Sequence, residues 1–384
     1  MLRHRLDRAG FPRAALLVVL GMASCDADVP NLESSLEATQ PAPSSDAATV
    51  PPAYIRDPAW PPALPNGWSW GVVTSVATGP DDHVWVLHRP RTAEVDNPAP
   101  PVLEFDANGA FIQAWGGPGD GYDWPDTEHG IFVDHEGNVW VNGINPEAGA
   151  DVSDRSDDML LKFTSNGTLL FQLGGYDVSS GNADTQNPRR AADVAVYPAT
   201  GEAFVADGYG NNRVWVISAE NGEYRRMWGA FGNEPIDDPE LPDPAAEGDG
   251  PDHFDIVHGL AISNDGLVYV ADRSFRRIQV FTVDGRYQKQ GFVARDEAPR
   301  PTVSRVAFSA DPQQRYLFAS DFGGGIVWIL DRESLQTVGR FGSRGTELGQ
   351  FGHLHHLAVD SRNNVYTAEV GAIGRVQKFR VDGN

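Results

Sequence analysis

Apolar and polar positions alternate over short stretches from about Gly71 onward, and each stretch stops at a turn such as "SNDG", "SRNN", "TSNG" or "VDG". A period of two broken by Gly, Asn and Asp predicts strands joined by hairpins. One unit recurs: an apolar strand, a turn, then an aromatic-rich strand. It reads "TSVATGPDDHVWV", "HGIFVDHEGNVWV", "ADVAVYPATGEAFV", "HGLAISNDGLVYV", "SRVAFSADPQQRYLFA" and "HHLAVDSRNNVYT". A second pair of strands follows each, as in "RIQVFTVDGRYQKQGF". The unit returns roughly every 45 residues, the spacing of propeller blades. Six units of about four strands predict an all-β, six-bladed β-propeller whose sheets bury their flat faces against one another. The last unit ends at "KFRVDGN" without an outermost strand. Residues 54–70 are expected to supply it and close the ring, and almost no helix is expected.

Aligning the units on their first strands places Thr74, His129, Ala192, His258, Ser304 and His355 at one position. Histidine stands in units two, four and six, and a small residue in the others. Alternate blades of a six-fold ring lie about 120° apart, so three imidazoles would converge on the axis. Three neutral nitrogen donors with a further position open to water or substrate make a catalytic metal site. Any one of these histidines alone reads as a polar residue lining a water-filled channel; the alternation of all three favours a shared metal. Zinc is expected, because imidazole suits it and no redox chemistry is signalled.

First-strand starts and second-strand ends share one mouth of a propeller. The second strand of unit one ends "VWVLHRP", which puts Arg89 there, and "FVADGYGNNR" in unit three puts Tyr209 there. The longer insertions, near 90–101, 145–158, 175–187 and 233–253, fall on the same face, as a lid or substrate wall would. An arginine can clamp a carboxylate with two parallel hydrogen bonds. A tyrosine beside a cation and a metal loses its proton more readily. The bland alternatives are a surface ion pair for Arg89 and a packed loop aromatic for Tyr209.

Composition narrows the setting. The 384 residues carry 53 acidic and 30 basic side chains, a formal charge of −23. Such a chain offers no footprint for phosphate backbones, so nucleic acid is excluded as a partner. Arg3, Arg5, Arg8 and Arg13 precede the short apolar run "AALLVVLGM", as in an export signal. That run is too short for a stable membrane anchor. It ends at "MASC", so the single cysteine, Cys25, is expected to be lipidated after cleavage; plain secretion is the alternative. Residues 1–25 thus read as a lipoprotein-type signal, 26–52 as a Ser-, Pro- and Ala-rich disordered tether and 53–384 as the propeller. The expectation is an exported, monomeric protein of a bacterial cell envelope, touching the membrane through its N-terminal lipid only.

The units resemble NHL repeats, and residues 66–384 resemble the lyase half of the peptidylglycine α-amidating enzyme. That resemblance implies a propeller lyase that splits peptidyl-α-hydroxyglycine into peptide amide and glyoxylate. It implies zinc on His129, His258 and His355, a substrate-clamping Arg89 in "LHR" and a base, Tyr209, in "DGYGNNR". The chain departs from the family at Gly210, where the family has a disulfide cysteine, and at His356, where it has a calcium-binding aspartate, so structural calcium is doubtful. His353 stands in place of a methionine near the metal. Either His353 or His356 could replace His355 as ligand; the register favours His355. The partner is then a small-molecule or peptide substrate, a carbinolamide. Two other readings compete: a non-catalytic surface propeller that binds a protein or glycan, and a calcium lactonase-like hydrolase, which would need acidic and amide ligands on the axis.

Overall fold

The computed structural model describes residues 50–91, 95–146, 152–237, 239, 248–297, 300–371 and 373–383. The signal segment and Cys25 lie outside the described residues, as does the tether up to residue 49. The compact unit is Val50–Asn384.

Its strands form six four-stranded antiparallel sheets, each taken in chain order except the last. In that sheet Tyr54–Arg56 pairs with the final strand Arg375–Val381, so the first strand closes the ring as the outermost strand of blade six. The closing strand is held by more than its ladder. The Tyr54 ring stacks on Phe341 at 4.7 Å, and its hydroxyl donates to the Asn363 carbonyl at 3.2 Å. Helix among the described residues is limited to two single 3₁₀ turns, Pro65–Gly67 and Ala230–Gly232.

Local chemistry explains the hairpins. In "DANG" and "DHEG" the aspartates Asp106 and Asp134 accept two backbone N–H bonds each across the turn, and Gly109 and Gly137 take the positive φ of 91° and 81° that the turn requires. In "DSRNN", Asn363 fills the glycine role at φ 67°. Between blades the aromatic strands interlock, as Phe204, Trp228, Phe254 and Phe281 do between blades three and four. Each such fully buried side chain contributes about 1.5–3 kcal/mol relative to exposure.

The innermost strands are Val72–Thr78, Glu128–Val133, Asp193–Tyr197, Val257–Ile262, Val303–Phe308 and Leu354–Val359. In five of them the ladder to the second strand slips at the start: Val73 and Ser75 pair while Thr74 is skipped, and likewise at His129, His258, Ser304 and His355. A bulge leaves its residue unpaired and re-aims it. The aligned position therefore leaves the sheet and faces the axis.

A second repeated device fastens the connections to the ring. An acid ending a second strand pairs with an arginine opening the third: Asp207 with Arg213 at 2.8 Å, Asp272 with Arg277 at 2.9 Å, Glu369 with Arg375 at 2.6 Å. Each guanidinium also donates to carbonyls of the incoming segment, for example Arg213 to Asn182 at 2.7 Å and Arg277 to His253 at 2.8 Å. Burying these charges is tolerable because every one is paired.

Candidate metal centre

His129, His258 and His355 meet on the axis. One nitrogen of each lies within 4.8 Å of the others, all three residues are buried, and their ring centroids are 4.6 to 4.9 Å apart.

Each imidazole is set by the neighbouring blade. Nδ1 of His129 contacts the Ala192 carbonyl at 2.8 Å, Nδ1 of His258 the Ser304 carbonyl at 2.7 Å, and Nδ1 of His355 the Thr74 carbonyl at 2.6 Å. A carbonyl can only accept, so each Nδ1 carries the proton and each Nε2 turns a lone pair to the axis. This accounts for the alternation: even blades supply imidazoles, and odd blades supply the carbonyls that orient them, with small side chains that leave room.

The glycine after two of the histidines belongs to the same arrangement. A Cβ on Gly130 would stand 2.5 Å from the Ala192 oxygen, and one on Gly259 would stand 2.7 Å from the Ser304 oxygen. Those are the two oxygens that hold His129 and His258.

Burial pushes all three imidazoles well below the ordinary histidine range, His355 to about 3. Neighbouring charges add to this: Arg89 and His355 on His129, and Arg273 on His258. The rings are therefore neutral, the form that ligates a metal.

The Tyr209 hydroxyl reaches the same point, 3.2 Å from Nε2 of His129 and 3.1 Å from Nε2 of His258. Arg273 donates to that hydroxyl from Nη1 at 3.0 Å. Arg89 is buried at the end of its strand; its Nε donates to the Glu128 carbonyl at 2.7 Å, which seats it beside His129. The side chain of Glu128 is fully enclosed, accepts from Trp124 Nε1 at 2.7 Å, and is pushed by burial up to about 7.

His353 and His356 are not in this cluster. His353 is exposed at the mouth and stacks on Phe322 at 5.2 Å. His356 is buried one layer further along the axis, its Nε2 3.8 Å from Asp193. In that layer the Arg305 side chain crosses from blade five, over Gly259, and its Nη1 bonds the Asp193 carboxylate and the Leu260 carbonyl. The guanidinium takes one Asp193 oxygen and the Leu260 carbonyl, and places a fixed cation beside the remaining Asp193 oxygen. Beyond Arg305 the six inner strands line a cavity of about 330 Å³.

Arg273 and Phe322 went unread in the sequence, although a signal existed. "VADR" and "ASDF" end the second strands of units four and five, the positions that yield Arg89 in unit one and Tyr209 in unit three. Arg305 has no local signature; its partner is 112 residues away.

No family model matches the chain. It is 27% identical over 292 residues to human NHL repeat-containing protein 3, covering 73% of this chain and 72% of that one. Over 371 residues it is 25% identical to peptidyl-alpha-hydroxyglycine alpha-amidating lyase 1 of Drosophila melanogaster, covering 89% of this chain and 62% of the relative. It also matches rat peptidylglycine alpha-amidating monooxygenase, 30% identical over 238 residues, which is 61% of this chain but 20% of that protein. The chain is thus related at low identity to NHL-repeat proteins and to amidating lyases, and its fold is a six-bladed propeller.

Proposed function

We propose that the protein is a zinc-dependent lyase that splits an α-hydroxy-α-amido acid into an amide and glyoxylate. The observation that carries this reading is the Tyr209 hydroxyl within 3.2 Å of two metal-facing histidine nitrogens and 3.0 Å of the Arg273 guanidinium. A phenol, two arginines and three neutral imidazoles at one mouth match a substrate that carries a hydroxyl, a carboxylate and an amide on one carbon.

His129, His258 and His355 would hold the zinc, which supplies Lewis acidity to a substrate oxygen. Arg89 and Arg273 draw the carboxylate in and fix which face of the carbon meets Tyr209. As the phenolate, Tyr209 takes the hydroxyl proton, and the Arg273 N–H bonded to its oxygen stabilises the anionic form before that transfer and again once the proton has moved on. As the carbon–oxygen double bond forms, the carbon–nitrogen bond breaks, and the proton held at Tyr209 passes to the leaving nitrogen. Atoms balance without water: the carbinolamide yields one amide and one glyoxylate. The relatives named as amidating lyases support this chemistry.

The test uses purified protein and α-hydroxyhippurate, which should give glyoxylate and benzamide in equal amounts, with stoichiometric zinc in the protein. Zinc-loaded protein that releases no glyoxylate from this compound or from ureidoglycolate would leave the binding propeller as the reading. For Cys25 we propose lipidation: a fatty-acid analogue should label the wild type and not Cys25→Ser, whereas equal release of both into the medium would mean plain secretion.

A further inference from the structure

Beside the three histidines the mouth carries a continuous band of stacked groups. Arg273, bonded to the Tyr209 hydroxyl, lies 5.3 Å over the Tyr209 ring and 5.3 Å over the Phe322 ring. Phe322 stands edge-on to His355 at 6.1 Å. It also stacks nearly parallel with His353, centroids 5.2 Å apart and planes 23° apart. The band thus runs from the reacting atoms to an exposed imidazole.

Backbone geometry keeps the outer end in place. Phe322 follows directly on the second strand of blade five, and its N–H donates to the Thr302 carbonyl at 2.9 Å. Opposite His353 the chain has Gly371, where a Cβ would stand 3.4 Å from Nδ1 of that ring. The neighbour at Nδ1 of that imidazole is therefore a residue without a side chain.

We propose that Phe322 and His353 form a stacking shelf for the acyl group on the leaving nitrogen, so that the preferred substrates are carbinolamides of flat, unsaturated acids. This rests on the lyase reading for the direction in which substrate lies. A carboxylate drawn to Arg89 and Arg273 leaves the acyl end to extend along the band toward solvent. An aromatic group gains there from offset stacking on the outer face of His353, the ring that Phe322 backs, whereas a saturated group of equal size gains only contact area. The difference between the two is about three- to tenfold in binding.

The experiment separates stacking from chemistry by using unreactive carboxylates. Zinc-loaded full-length protein is titrated calorimetrically with hippurate and with its ring-saturated analogue, cyclohexanecarbonylglycine, which has the same charge and nearly the same volume. Hippurate should bind about three- to tenfold more tightly. His353→Ala and Phe322→Leu should each bring the two ligands to within a factor of two, with zinc content unchanged, and His353→Tyr should keep the preference. Equal binding of the two ligands by the wild type, or a preference that survives both substitutions, overturns the shelf. Glyoxylate release is measured separately, so loss of the lyase reading and loss of the shelf give different results.

Discussion

Nδ1 of His355 donates to the carbonyl of Thr74 at 2.6 Å, across 281 residues of sequence. The bond that orients the third imidazole therefore also ties the last blade to the first.

A metal held by His129, His258 and His355 should staple blades two, four and six together. Zinc at one hundred times its dissociation constant should add about 2.7 kcal/mol to folding stability, because it binds only the folded ring. Calorimetry should show the melting temperature rise with zinc and fall with chelator. His355→Ala should show no response, and an unresponsive wild type would exclude a metal at this site.

Gly130→Ala and Gly259→Ala should weaken the metal and also lower stability, so metal affinity is read on protein shown to be folded. The added methyl would push on the Ala192 or Ser304 carbonyl, the partner of His129 or His258. Disturbing such an orienting bond typically costs about 10–100-fold in metal affinity. A competition assay with a chromophoric chelator reads this directly; unchanged affinity would mean the carbonyls do not hold the rings in place.

Acid should act through the unfolded chain. The imidazoles stay neutral in the fold because burial lowers them, His355 to about 3, whereas unfolded histidines take up protons below about 6.5. A folded value below the unfolded one gives a contribution that is complete above that pH and is lost as pH falls through it. The loss is at most about 1.4 kcal/mol per pH unit for each histidine. Denaturant midpoints of metal-free protein between pH 7.5 and 5.5 should therefore fall less steeply for His129→Gln than for the wild type. The folded holoprotein should keep its metal down to pH 5; metal loss centred near 6.5 without unfolding would contradict the buried, neutral assignment.

Tyr209→Phe removes a proton acceptor and no metal donor. Turnover should fall by about 10²–10⁴-fold with zinc content unchanged. Arg273→Met should lower turnover and raise KM together, since the same guanidinium meets both the phenol and the substrate carboxylate, and Arg273→Lys should recover part of each. A Tyr209→Phe enzyme with wild-type turnover would remove the tyrosine from the mechanism.

The closing strand should govern the whole ring. Tyr54→Ala removes the stack on Phe341 and the bond to Asn363, and truncating a large packed aromatic costs about 3–5 kcal/mol. The expected result is one cooperative transition at lower denaturant; a separate early transition for blade six alone would show that closure is local.

Much of this was legible in the chain because propeller repeats are local. Each unit buries its own strands against its neighbours, so period, turns and strand ends sit within a short span, and the alternation of His129, His258 and His355 follows once the units are aligned. Arg89 and Tyr209 were reachable by the rule that second strands end at the mouth, and Arg273 and Phe322 would have followed had the rule been carried through units four and five. The carbonyl partners of the imidazoles were not legible, because a backbone oxygen leaves no mark on the sequence. Nor was Arg305: an arginine in an otherwise apolar inner strand becomes intelligible only when Asp193, two blades away, is brought across the axis.

That crossing bears on how the site is reached. With Arg305 bonded to Asp193, the described residues place a guanidinium across the axis on the side of the histidines away from the mouth. In the lyase reading, substrate and both products would then pass through the mouth, and each turnover would have to clear it before the next begins. Glyoxylate, the deeper-lying fragment, would leave after the amide that covers it, and should therefore inhibit competitively against substrate while the amide does not.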